Sequence, residues 1–340
     1  MASNPSSTYK ISGLAGWLKE IDSKSKNSAF LKSILEFDKE HFFVVKFLYH
    51  IADLERNIPK YGLNFQSKKL LNKLKLDTYV YSDISNKNFQ DRKGLLVYGI
   101  NHNAFFEPII LLSLLNQKNI KLVIYRFYFF LGKNFQKYAL PVISNAHIKR
   151  DIFNPKKRFD IGHRFHKREG LESEEIKIIN QNSLKNASKT LENGGIVIIF
   201  PGGAGDELKK WGIGLSKIII DINKNKRNDI SLLPVYFSGM GYIRMLLRLI
   251  KAYKNTYLPK LRIGVYFGKE KTISEIFSIL GNDISEKSIL SYLRKDAFSQ
   301  YGLKEFPIKR YIYPRYYPLA FTQIIAFLIK LIPFKEFFKA

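Results

Sequence analysis

The sequence contains no cysteine, which excludes disulfides, thiolate metal sites and a cysteine nucleophile. It has no run of eighteen or more apolar residues, so a standard transmembrane helix is not expected. Residues 1–10 are polar and lack the apolar stretch of a secretory signal. No internal repeat is visible. Acidic residues are scarce: 29 Asp plus Glu stand against 56 Lys plus Arg, a formal net charge of +27. Together these absences fit a cytoplasmic protein that touches a membrane from one side. A surface this basic attracts polyanions, either nucleic acid or anionic lipid headgroups. No recognised nucleic-acid module accompanies the charge, so nucleic acid is not expected as a partner. Part of the excess lies in Lys/Asn-rich loops at residues 23–27 and 223–228, where it reads equally well as a habit of composition.

What is present is the material of a folded domain. With 46% hydrophobic and 25% charged residues, disorder is not the dominant state. The 340 residues suffice for one large domain, with or without a small appendage. The 27 Phe and 20 Tyr suit a deep core, an apolar tunnel or a membrane-interface belt.

Apolar spacing of three and four between Phe30 and Leu54 predicts helices, which Pro59 and Gly62 interrupt. Residues 1–75 therefore read as a helical N-terminal subdomain. From Gly94 the texture changes. Short β-rich runs at 95–100, 121–125, 195–200, 231–237 and 262–267 alternate with helical stretches at 107–116, 173–191, 215–223 and 242–254. That alternation predicts an α/β fold with a mixed, largely parallel sheet flanked by helices over residues 76–310. Ligands gather at the carboxyl ends of such strands. The basic segment 151–170 is a candidate lid or surface-contact loop.

Two peptides follow predicted strands. The first runs Gly99-Ile100-Asn101-His102-Asn103-Ala104-Phe105-Phe106-Glu107-Pro108. A strand-to-helix turn brings the Glu107 carboxylate back onto one imidazole nitrogen of His102 and leaves the other for an incoming hydroxyl. That makes histidine a general base whose tautomer the carboxylate fixes, the logic of a catalytic triad with a substrate hydroxyl in place of the serine. Alone, this spacing is a weak signal. The second peptide, Phe200-Pro201-Gly202-Gly203-Ala204-Gly205-Asp206-Glu207, ends a buried strand at a proline. Its three glycines in four residues allow close backbone approach to a ligand, and its amides could hold a phosphate or a glycerol head. No Gly-Lys-Ser/Thr follows, so it is not a nucleotide P-loop. A tight strand-to-helix turn explains it as well.

Taken in order, Asn101-His102 with Glu107, Phe200-Pro201-Gly202-Gly203 and Leu232-Leu233-Pro234-Val235 resemble the glycerophospholipid acyltransferase superfamily over roughly residues 90–270. The Pro-Gly-Gly-Ala form is similar to its diacylglycerol-acyltransferase-like branch. The resemblance implies an enzyme that moves a fatty acyl group from acyl-CoA or acyl carrier protein to a lipid hydroxyl, without metal or cofactor. By position, His102 is implied as general base and Glu107 as its orienting carboxylate. Asn101, Pro201, Gly202, Gly203 and Ala204 are implied to shape the acceptor site. Arg150, ending His147-Ile148-Lys149-Arg150, matches an arginine that contacts an acceptor phosphate. Two departures matter: Gly202 stands where many members have glutamate, and Gly205 near where they have arginine. A phosphate-bearing acceptor normally needs that positive charge, which points to a neutral acceptor unless Lys209 or Lys210 substitutes. A lysophospholipid or lipid A-type acyltransferase, and an inactive lipid-binding protein on the same scaffold, remain alternatives.

The remaining histidines carry little. His41 and His50 sit in the helical pattern, and His163 and His166, three apart in a basic loop, are not expected to form a metal site. Two segments suit a membrane interface. One is 242–254, where Arg244, Arg248, Lys251 and Lys254 form a stripe; packing on the sheet explains it as readily. The other is 311–340, where Phe321, Ile324, Ile325, Leu328 and Ile332 share one face of an amphipathic helix flanked by tyrosines.

Overall fold

In the computed structural model the residues described are 13–41, 43–81, 94–102, 106–143, 171–202, 211–225, 227, 229–254 and 256–302. Five helices come first: α1 (Gly13–Lys26), α2 (Ala29–His41), α3 (Val44–Arg56), the single turn α4 (Ile58–Tyr61) and α5 (Leu63–Lys73). The helical pattern read through Phe30–Leu54 is broken where Phe43 takes a left-handed φ of 56°. Asp38 secures that break. Its buried carboxylate accepts from Val44 N and Val45 N, both at 2.9 Å, and so satisfies two of the unpaired amides that open α3. Burial raises the Asp38 pKa above the ordinary carboxylate value.

Among the described residues eight strands follow, interleaved with helices. They are β1 (Leu76–Tyr81), β2 (Leu95–Gly99), β3 (Ile120–Tyr125), β4 (Ala139–Val142), β5 (Ile196–Ile199), β6 (Ser231–Ser238), β7 (Leu261–Phe267) and the short β8 (Lys271–Thr272). The helices among them are α6 (Glu107–Leu114), α7 (Lys133–Gln136), α8 (Ser173–Glu192), α9 (Gly214–Lys224), α10 (Tyr242–Lys254), α11 (Ile273–Leu280) and α12 (Glu286–Gln300). The strands form one sheet in the order β1-β7-β6-β2-β5-β3-β4, with β8 beside β6. From β6 to β4 every pairing is parallel; β7 turns antiparallel to β6, and β1 runs parallel to β7. The α/β fold with a mixed, largely parallel sheet is therefore as the alternation predicts.

Strands β2 and β5 are buried at every position, as parallel strands covered on both faces must be. Their side chains alternate between two cores. Leu95, Val97, Ile196, Ile198, Leu233 and Val235 face α5, α6 and α10. Leu96, Val197, Ile199 and Leu232 face α8, α9, α11 and α12.

The five predicted strands and four predicted helices are found within about two residues of their expected bounds. Strands β1, β4 and β8 and helices α7, α11 and α12 were not anticipated. One feature corrects the reading of 242–254 as a uniform basic stripe. Arg248 is buried, and its guanidinium donates to Leu74 O at 2.7 Å, Lys75 O at 3.0 Å and Pro259 O. It ties α10 to the β1–β7 end of the sheet, while Arg244, Lys251 and Lys254 stay exposed. The amphipathic helix expected in 311–340 and the loop 151–170 lie outside the described residues. Among the described residues no helix is long and apolar enough to cross a membrane.

Candidate active site

The chain leaves β2 at Gly99 and keeps pairing for two more residues. Ile100 N donates to Val235 O at 2.9 Å. The Asn101 side chain then takes over the ladder: its Nδ2 donates to Phe237 O at 2.7 Å and its Oδ1 accepts from Phe237 N at 2.9 Å. A side-chain amide thus stands in for a strand peptide, buried, with both its dipole ends used. This holds the backbone just ahead of His102 against the carboxyl end of β6.

His102 comes next, and α6 starts at Glu107 with Pro108 in its first turn. Proline suits that position because the first helical amides have no partner in the helix. A carboxylate there also meets the positive end of the helix dipole. His102 Nδ1 lies 3.0 Å from Glu107 Oε2. The histidine side chain is 14% exposed and the carboxylate 0%. An ionised carboxylate only accepts, so a neutral imidazole paired with one through Nδ1 carries its proton there and its lone pair on Nε2. The pair the sequence singled out is brought together, with the carboxylate dry and the imidazole part-buried.

Phe200, the residue after β5, packs its ring on His102 with centroids 4.7 Å apart and planes tilted by 32°. It also lies 6.3 Å from the Phe237 ring. This is why β2 ends in glycine: a Cβ on Gly99 would stand 2.1 Å from the Phe200 ring. Pro201 is buried, and its carbonyl accepts from Gly212 N at 2.7 Å, closing the loop that begins with Gly202. Asn101, His102, Glu107, Pro201 and Gly202 therefore gather at the carboxyl ends of β2, β5 and β6. Gly203, Ala204 and Arg150 lie outside the described residues.

Strands β2 and β5 are neighbours whose outgoing helices, α6 and α9, pack on opposite faces. Their carboxyl ends thus form the crevice where open α/β sheets bind ligands. Sequence reading missed three parts of this site. Phe200 was noted as a strand end, not as the imidazole's packing partner. The Phe237 backbone is the other half of a contact across 136 residues. Trp211, past the glycine loop, packs edge-on against Tyr98 at 5.9 Å and 73°, and its buried indole N–H has no hydrogen-bond partner among the described residues.

A cleft of about 420 Å³ lies at the other end of the sheet, lined by Asn119, Lys121, Lys137, Lys189 and neighbouring polar groups. It holds no acid–base pair and is not the site of the chemistry read from His102. Among the described residues no three His, Cys, Asp or Glu side chains could hold a metal ion together.

No protein-family model and no curated protein matches the chain. Among solved structures it is similar to the 1-acyl-sn-glycerophosphate (LPA) acyltransferase PlsC from Thermotoga maritima, at 13% identity and a TM-score of 0.36. The alignment covers 84% of this chain and 94% of that one. A likeness at that TM-score carries no weight here, and the functional reading rests on the site.

Proposed function

We propose that the chain is an O-acyltransferase that moves a fatty acyl group from a thioester to a lipid hydroxyl at a membrane surface. The observation that carries this reading is the His102–Glu107 pair: Nδ1 on a fully buried carboxylate at 3.0 Å, at the carboxyl end of a central parallel strand. The motifs that follow in order, Phe200-Pro201-Gly202-Gly203 and Leu232-Leu233-Pro234-Val235, add to it.

In the proposed reaction His102 Nε2 removes the acceptor's hydroxyl proton as its oxygen attacks the thioester carbonyl. Glu107 stabilises the imidazolium that forms. Donors near the Gly202 loop hold the oxyanion. Collapse expels the thiolate, which takes the proton from His102 and leaves as thiol, so the enzyme ends as it began. Gly205, near where a phosphate-binding member carries arginine, favours a neutral acceptor such as a diacylglycerol or a long-chain alcohol, unless Lys209 or Lys210 supplies the charge. The basic surface supports docking to the face of an anionic membrane.

The test incubates the purified protein with vesicles, labelled palmitoyl-CoA and separate pools of diacylglycerol, fatty alcohol and lysophospholipid, wild type beside His102→Ala. Label entering one lipid class with wild type alone is the expected result and names the acceptor. Equal transfer by both proteins would overturn the mechanism. Absence of transfer from both CoA and carrier-protein thioesters would favour a lipid-binding protein on this scaffold.

A further inference from the structure

The sheet is covered unequally at its β1–β7 edge. On one face Leu76, Ile263 and Val265 are buried in the core shared with α5 and α10. The other face carries Asp77, Tyr79 and Tyr81 from β1, Arg262, Gly264 and Tyr266 from β7, and Tyr236 and Ser238 from β6, by the alternation of the strands. Among the described residues helix α12 covers that face as far as Tyr301, whose hydroxyl lies 3.0 Å from both Pro234 O and Tyr266 O and donates to them.

Beyond Tyr301 the rings form a ladder running outward across the strands. Tyr301 and Tyr236 lie 5.5 Å apart, Tyr236 and Tyr266 6.1 Å apart, and Tyr266 and Tyr81 stack at 4.5 Å with only 10° between their planes. The last ring, Tyr81, is 51% exposed. Beside it the Arg262 guanidinium sits 5.3 Å over the exposed Tyr79 ring. Lys75 and Lys260, next to the first residues of β1 and β7, are exposed as well. The acidic group on this face, Asp77, lies 3.3 Å from the Tyr79 hydroxyl.

We infer that this ledge binds the adenine nucleotide end of the acyl donor, making acyl-CoA the thioester used; the inference rests on the acyltransferase reading above. Three observations converge. A stack that ends in a half-exposed tyrosine is extended by a flat heteroaromatic ring, and base–aromatic stacking is strong and tolerant of the base. A guanidinium over an aromatic ring still has N–H groups to offer phosphate oxygens, and two lysines add charge of the right sign. The ledge also opens at the catalytic end of the sheet. Gly264 pairs with Tyr79 on one side and with Ser238 on the other, one residue past the Phe237 that holds Asn101. From β2 to β1 is three strand spacings, roughly 14 Å. An extended arm with a nucleotide at one end and a thioester at the other can bridge that distance.

The test titrates the full-length protein with adenosine 3′,5′-bisphosphate by calorimetry, so that binding is read without any acyl chain or turnover. Tyr81→Ala and Arg262→Ala should each weaken binding about tenfold, while Tyr81→Phe, which keeps the ring, should bind as wild type. In turnover assays Tyr81→Ala should raise KM for palmitoyl-CoA about tenfold and move kcat little. Binding of the bisphosphate that Tyr81→Ala leaves unchanged would overturn the ledge, as would inorganic triphosphate binding as tightly as the nucleotide at equal ionic strength. Those failures leave His102-dependent acyl transfer standing. Nucleotide binding that is lost in Tyr81→Ala, from a protein that transfers no acyl group, would support the ledge and remove the acyltransferase reading instead.

Discussion

The two ends of the sheet hold polar side chains in opposite ways. At the carboxyl ends of the central strands, Asn101 and Glu107 are buried and every placement is geometric: an amide paired with Phe237 and a carboxylate 3.0 Å from an imidazole. At the amino ends of β3 and β4, Lys137 and Lys189 stand exposed around an open cleft, and Lys121 is half-buried with its ammonium on Lys137 O. A buried polar group left without its partner costs about 1–3 kcal/mol, whereas exposed charges cost little to move. The first end is thus built to hold one arrangement, and the second tolerates many. Chemistry that depends on tenths of an ångström belongs at the first.

The sharpest way to break that contrast is at His102. His102→Ala should reduce acyl transfer by at least about 10³-fold with an unchanged melting temperature; near-normal turnover would place the chemistry elsewhere. Glu107→Gln should come next. An amide can donate to Nδ1 and favour the wrong tautomer, so kcat should fall by about 10²-fold or more while near-ultraviolet circular dichroism stays as wild type. Full activity would make Glu107 a structural group only. Asn101→Ala leaves both Phe237 backbone groups unpaired and should cost about 2 kcal/mol in urea unfolding. Asn101→Asp should cost at least as much, because a carboxylate accepts from Phe237 N but cannot donate to Phe237 O.

The amino end should respond least. Lys189→Ala should change stability by no more than about 0.5 kcal/mol. Lys121 offers a finer measure. Burial lowers its pKa below the ordinary 10.5, so between the lowered value and 10.5 the unfolded chain holds more protons than the folded one. Stability therefore rises with pH through that window. The rise should be smaller in Lys121→Met, measured as the difference in melting temperature between the two proteins across the window. An identical pH profile would show that Lys121 is not desolvated.

How far the sequence could be read follows the same division. Strands β2 and β5 announce themselves as continuous apolar runs because both faces are covered. Strand β1, Leu-Asp-Thr-Tyr-Val-Tyr, is exposed over its last three residues, and β4 has four residues with Pro141 among them. Neither presents a run or an alternation long enough to stand out, and both lie at sheet edges, where proline and exposure are tolerated. The His102–Glu107 pair was legible because its two members are five residues apart and a turn suffices to join them. Asn101 was legible only as part of a motif. Its two bonds join it to a residue 136 positions away, and no local pattern reports such a contact. Arg248 shows the opposite error: helical spacing put it in a charged stripe, and only the carbonyls of Leu74, Lys75 and Pro259 reveal why a guanidinium is buried there.

The Asn101–Phe237 clasp also sets when the candidate site can take shape during synthesis. His102 and Glu107 leave the ribosome almost together, yet the strand that steadies them is made more than a hundred residues later. The strand at the far edge, Leu76–Tyr81, waits longer still, since its partner begins at Leu261. Pairings this distant in sequence are slow to close, and until they do the central strands expose long apolar edges. The nascent chain therefore carries His102 without its framework for more than a hundred residues of elongation. Pulse-labelled ribosome-bound fragments ending before residue 231, the start of β6, should be protease-sensitive, and those extending past residue 302 should resist.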